Sequence, residues 1–142
     1  GHLTLMGVTS SLHQSYQPID DIDRLPCNVQ WGIGIFPAYT LTDGIDDVNS
    51  EGGTNNSNVL VPEFSFDLKT APMLLIHGDA DGHSSMGSVK IWEKMRSMGI
   101  QSELHTLALG QHGFIEKASP GTGSYTWLNL ISNFLKEHVK GL

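Results

Sequence analysis

Four consecutive apolar residues, Met73-Leu74-Leu75-Ile76, stop abruptly at His77-Gly78-Asp79-Ala80-Asp81-Gly82-His83. A short unbroken apolar run predicts a strand buried on both faces that empties into a tight loop at its carboxyl end. A second strand is predicted over 102–109, running into Gly110-Gln111-His112-Gly113-Phe114. A third is predicted over 28–36, β-rich and ended by Pro37, with glycines that imply a close neighbour. Leu3, Met6 and Leu12 give 2–12 a loose helical spacing with no capping residue ahead of Gly1, as in a helix entered partway. Met86, Val89, Trp92 and Met95 predict an amphipathic helix that Ser84 or Ser85 caps and Gly99 closes. Trp127, Leu130, Ile131, Phe134, Leu135 and His138 share one face of a last helix over 124–139.

Between these elements, 13–27, 40–58 and 110–123 read as loops, and 61–69 as a short helical turn or irregular link. The order helix, strand, loop, strand, helix, strand, helix, with right-handed crossovers, predicts an α/β fold: a three-stranded, parallel sheet with helices packed on it in three layers.

Composition narrows the function without naming it. A chain of 142 residues, 39% hydrophobic, suits one domain with a real core. The formal charge of −7, with Lys and Arg scattered, argues against nucleic acid or an anionic membrane as the main partner. Cys27 is the single cysteine, so there is no internal disulfide, and no zinc-finger spacing is present. No apolar run reaches the roughly eighteen residues that span a bilayer. The start has neither a basic n-region nor a cleavage site, and cell location does not follow. Asp43, Asp46, Asp47, Asn49 and Glu51 fit no EF-hand spacing and read as a solvated loop, so no metal or other cofactor is expected. Asn55-Asn56-Ser57 fits a glycosylation sequon, a motif short enough to recur by chance.

The candidate chemistry sits on the two strand ends. A carboxylate after one parallel strand and an imidazole after the next share a rim, and Asp81 with His112 makes two thirds of a nucleophilic triad. Either residue alone would read as a turn aspartate or a surface histidine; their joint placement is what points to catalysis. Asp79 competes with Asp81 for the acid role. His77, Asp79, Asp81 and His83 also alternate as metal ligands would on an extended strand, but Gly78 and Gly82 oppose continued extension. Ser10 and Ser11 lack the strand and glycines of a nucleophile elbow, and Ser84 and Ser85 read as caps. His105 reads as structural, and His2, His13 and His138 carry no signal.

These residues resemble the α/β-hydrolase family. His77-Gly78-Asp79-Ala80-Asp81 is similar to its HGxxD acid turn, Gly110-Gln111-His112-Gly113-Phe114 to its GxxHGF histidine loop, and Pro62-Glu63-Phe64 through Pro72 to the segment leading into the acid strand. The chain is most similar to the carbohydrate-esterase and small-ester branch, of the acetyl-xylan and feruloyl esterase type. The resemblance implies a serine-type carboxylic ester hydrolase acting on a small-molecule or carbohydrate ester, with Asp81 rather than Asp79 as acid and His112 as base. Gly1-His2-Leu3 resembles the tail of a G-x-S-A-G-G-H-L elbow, which implies that 1–142 is the carboxyl-terminal part of one hydrolase domain. The serine would then lie just upstream of Gly1, and the isolated chain is expected not to turn over ester.

The competing reading is a non-catalytic, truncated half-domain acting as a folding or binding partner. In either case a bare edge on the 28–36 strand is expected to pair with an amino-terminal half or with a second copy of the chain. A flavodoxin-like binding domain would need a phosphate-cradling loop after the first strand, and Pro37-Ala38-Tyr39 is not one.

Overall fold

The computed structural model describes residues 1–10, 13, 16–42 and 59–139. Ser11 and Leu12, the acidic run from Asp43 to Glu51 and the Asn55-Asn56-Ser57 sequon lie outside the described residues. In chain order the elements are α1 (His2–Ser10), β1 (Gly32–Ile35), β2 (Met73–Gly78), α2 (Met86–Ser97), β3 (Ser102–Leu107), α3 (Phe114–Lys117), a 3₁₀ turn (Gly123–Thr126) and α4 (Trp127–His138). The strands form a parallel sheet in the order β1-β2-β3, with Gly32 opposite Met73 and Met73 opposite Ser102. No helix among the described residues is long and apolar enough to cross a membrane.

Every residue of β2 is buried, because a central parallel strand is covered on both faces. Met73 and Leu75 join Leu5 and Val8 of α1 and Ile91 and Met95 of α2 in one core. Leu74 and Ile76 join Phe114 and Phe134 in the other, beneath α3 and α4. Helices thus cover both sides of the sheet, giving an α/β fold of three layers. Gly32 lets α1 approach β1, since an added Cβ would run into the Val8 side chain.

Four expectations need correction. β1 begins at Gly32 rather than 28, because 28–30 lie on the surface ahead of the first pairing with β2. β3 ends at Leu107 rather than 109: the Gly110 N–H turns back onto the Leu107 carbonyl at 2.9 Å and leaves Leu109 90% exposed. The buried face of α2 runs through Gly87, Ser88, Ile91 and Met95 with Trp92 packed against the same core, while Met86 is exposed, so the apolar spacing placed the later turns and missed the first. The loop expected at 110–123 contains the one-turn helix α3, anchored by buried Phe114 and too short to show a period.

The start of α2 also differs in detail. Ser84 Oγ accepts the Met86 N–H at 3.2 Å, whereas Ser85 Oγ donates to Asp79 Oδ1 at 3.3 Å. Gly99 ends the helix region with φ 73°, its N–H donating to the Arg96 carbonyl.

Candidate functional site

Parallel register brings the carboxyl ends of β2 and β3 to one rim, with Gly78 opposite Leu107. Both loops leaving this rim are tied to a single acceptor. The Leu107 carbonyl takes the Asp79 N–H and the Gly110 N–H, each at 2.9 Å. Gly78 and Gly110 lie so close that a Cβ on Gly78 would sit 2.8 Å from Gly110 Cα and nearer still to its carbonyl group. Only two glycines permit this approach, and it fixes the spacing between the acid turn and the histidine loop.

Within the acid turn, the Asp81 N–H donates to the Gly78 carbonyl at 3.2 Å. The side chain folds back, and Asp81 Oδ1 accepts the His83 N–H at 2.8 Å in an Asx turn. In the histidine loop, Gly113 takes φ 72° and the Phe114 N–H donates to the Gln111 carbonyl at 3.0 Å, which turns the chain sharply beside His112.

His112 Nδ1 lies 2.9 Å from Asp81 Oδ2 and 3.2 Å from Oδ1. A carboxylate can only accept, so Nδ1 carries the hydrogen and the Nε2 lone pair is left to take a proton. The Asp81 side chain has 0% exposure, whereas that of His112 has 46%. A buried acceptor behind a half-exposed base is the arrangement that general-base chemistry requires: the carboxylate fixes the tautomer, and the ring meets an incoming group.

The imidazole is held between two rings. Phe36 lies 4.7 Å away, centroid to centroid, and His83 lies edge-on at 4.8 Å. Tyr39 packs on His83 in turn, at 5.5 Å. Phe36 and Tyr39 both take positive φ, 37° and 57°, the two non-glycine residues among those described to do so. Backbone strain of this kind persists where the surroundings over-determine it, here in the segment that carries the ring wall of the site. The sequence signal for this wall was weak: Phe36 reads as the end of a strand, His83 reads only as part of an alternating polar run, and nothing marks Tyr39.

Asp79 and Asp81 separate cleanly in space. Asp79 is exposed and accepts Ser85 Oγ, while Asp81 meets His112. His77 is fully buried beside the Asp81 carboxylate, its Nδ1 2.8 Å from Ser88 Oγ. The alternation of His77, Asp79, Asp81 and His83 therefore does not converge on one point, because the turn at 79–80 sends Asp79 outward.

The amino end of α1 reaches the same rim. Gly1 packs on the end of β1, where a Cβ would meet the Ile35 carbonyl and Pro37 at 2.5 Å, and His2 Nδ1 donates to the Ala38 carbonyl at 2.9 Å. Ser10, at the other end of α1, bonds the Glu63 carbonyl at 3.2 Å. Among the described residues no serine hydroxyl is bonded to His112.

A separate group, Glu103, Glu137 and His138, brings ligand atoms within 4.8 Å of one another. Glu103 also pairs with His105 Nε2 at 3.2 Å. These residues gather at the amino-terminal end of β3, away from Asp81 and His112, and Glu137 is exposed.

No family model matches the chain, and no curated protein matches it. A solved structure does: the crystal structure of acetyl ester-xyloside bifunctional hydrolase from Caldicellulosiruptor lactoaceticus, at a TM-score of 0.68 and 15% sequence identity. The match covers 96% of this chain and 52% of that one, so the chain spans about half the length of the solved protein. At this identity the likeness is one of fold: the α/β layers built here are shared with about half of a solved hydrolase.

Proposed function

We propose that this chain carries the acid and the base of a serine-type carboxylic ester hydrolase acting on acetyl, feruloyl or other small esters. The observation that carries the reading is the 2.9 Å contact between a buried Asp81 and a half-exposed His112 at the ends of adjacent parallel strands. In the proposed reaction a serine hydroxyl attacks the ester carbonyl while His112 Nε2 takes its proton. The imidazolium, paired with Asp81, then returns that proton to the departing alcohol, leaving an acyl-serine. Water attacks the acyl group with His112 again as base, and the serine leaves with the proton as the acid is released.

The serine is assigned to the segment leading into Gly1. Gly1 abuts Pro37, and the Phe36 ring packs at a tilt against His112, so a residue just ahead of α1 enters at the rim that carries His112. An elbow preceding this helix would place its hydroxyl there. The oxyanion donors and the remaining pocket walls belong, on the same reading, to that part of the enzyme.

Complementation tests the proposal. The 142-residue chain is assayed on p-nitrophenyl acetate and acetylated xylo-oligosaccharide, alone and then joined to its upstream coding segment. The expected result is no hydrolysis above a His112→Ala control for the chain alone, and hydrolysis abolished by His112→Ala in the joined protein. Hydrolysis by the chain alone that survives His112→Ala, or none in the joined protein, would overturn the assignment.

A further inference from the structure

Two imidazoles approach Asp81 Oδ2: His112 at 2.9 Å and, further off, His77, the residue before Gly78 in β2, with no exposed surface. His77 Nε2 lies 3.1 Å from the His83 carbonyl and 3.5 Å from Asp81 Oδ2, and its Nδ1 lies 2.8 Å from Ser88 Oγ. The carbonyl and the carboxylate can only accept, so Nε2 carries the ring hydrogen and the Ser88 hydroxyl donates to Nδ1. At 3.5 Å the carboxylate contact is electrostatic, and the bond that holds geometry is the one to His83.

Packing alone does not ask for these residues. Position 77 continues the row of Met73 and Leu75 on the α2 face of β2, a row that is otherwise apolar. Two polar groups buried opposite one another cost stability unless they bond to each other, and they gain little over an apolar pair when they do. What the pair supplies is a rigid link from α2, through Ser88 and His77, to the His83 carbonyl. The N–H of that same His83 orients Asp81 Oδ1, which leaves Oδ2 as the oxygen nearer His112 Nδ1, at 2.9 Å against 3.2 Å for Oδ1.

We propose that His77 is a positioning residue for the acid: held by Ser88, it fixes the 81–83 turn so that Asp81 keeps His112 in the Nδ1–H tautomer. This rests on the reading of Asp81 and His112 as acid and base. The residue acts through the turn and touches neither substrate nor the reacting atoms.

The test uses the 142-residue chain, labelled with ¹⁵N, and reads the His112 tautomer from its two ring-nitrogen shifts at a pH where the ring is neutral. Thermal unfolding is followed in parallel. His77→Gln places an amide nitrogen where Nε2 was and keeps the bond to His83, whereas His77→Asn reaches only the Nδ1 position. The expected result is a fall of at most about twofold in Nδ1–H over Nε2–H in His77→Gln, which keeps the bond to His83 but loses the one from Ser88, and a drop of roughly three- to tenfold in His77→Asn, the loss of about one hydrogen bond of fixation. A residue of purely structural importance would lower the unfolding temperature of both variants and leave the ratio alone.

A folded His77→Asn with an unchanged ratio overturns the proposal, as does a His77→Gln variant that behaves like Asn. Should His77→Asn fail to fold, Ser88→Ala decides: the ratio is expected to fall in the same direction by a smaller factor, and an unchanged ratio overturns the proposal. Because the readout is a tautomer and not turnover, loss of the esterase reading and loss of this inference are separate outcomes.

Discussion

Gly78→Ala probes the joint that sets the site. The added Cβ would lie 2.8 Å from Gly110 Cα, where ordinary contact begins at 3.4 Å, so this contact alone requires a shift of 0.6 Å, the difference between the two. The Gly110 carbonyl stands closer still, and its relief pushes the histidine loop away by roughly 1 Å, at an overpacking cost of about 1–3 kcal/mol. His112 follows Gly110 by two residues. Its 2.9 Å contact with Asp81 is therefore expected to open past 3.5 Å and to forfeit about another 1 kcal/mol. At about 2–4 °C per kcal/mol for a domain near this size, the unfolding temperature should fall by roughly 5–15 °C.

The assay is thermal unfolding by circular dichroism, with the His112 Nδ1–H resonance observed on the same samples. Gly7→Ala is the control: an added Cβ there meets nothing within 4 Å, and alanine in a helix interior should stabilise by up to about 1 kcal/mol. An unfolding temperature for Gly78→Ala within about 2 °C of wild type, with the Nδ1–H resonance intact, would refute the idea that the glycine pair sets the spacing.

Phe134→Ala removes the ring that α4 buries against Leu74 and Ile76; a cost of about 3–5 kcal/mol is expected in chemical denaturation, and less than 1 would mean that α4 is not part of the cooperative core. In the loop before β1, the Ile19 N–H and then the Tyr16 hydroxyl hold the Asp23 carboxyl below its ordinary range. Because the folded value is the lower one, this contribution is complete above the unfolded carboxyl value near ~3.9 and is lost as pH falls through the folded value. The same bond raises the Tyr16 phenol, so Asp23→Asn should let Tyr16 ionise at lower pH in an absorbance titration, and superimposable curves would contradict the contact. No described strand pairs with the outer edge of β1. Concentration-dependent self-association is therefore expected in sedimentation, and a monomer at all concentrations would count against an available edge.

The parts of the fold that could be read from sequence are those where one physical requirement dominates. Met73 to Ile76 must be buried on both faces, and that placed the central strand and the rim on which both loops end. Asp81 and Asp79 were distinguishable by family likeness alone, since both sit in the same turn; the folded-back Asx turn at His83 is what separates them. The first turn of α2 was misread because its inner face holds Gly87 and Ser88, whose burial serves Thr40 and His77 rather than a hydrophobic stripe. A polar pair such as His77 and Ser88 looks like noise in an apolar period, and its partnership exists only once β2 and α2 have packed. The ring wall of Phe36, Tyr39 and His83 was hidden for the same reason, as three residues from two loops that meet only at the rim.

The most direct measurement is the turnover of an acetyl ester by the chain joined to the serine-bearing segment that the proposed function calls for, compared with its Asp81→Asn and His112→Ala forms at equal folded concentration. With Asp81 and His112 as acid and base, each substitution is expected to lower kcat by a factor on the order of 10³–10⁴ or more while leaving the fold intact. Variants that retain turnover within tenfold of the unsubstituted protein would contradict the assignment, whatever the geometry of the pair.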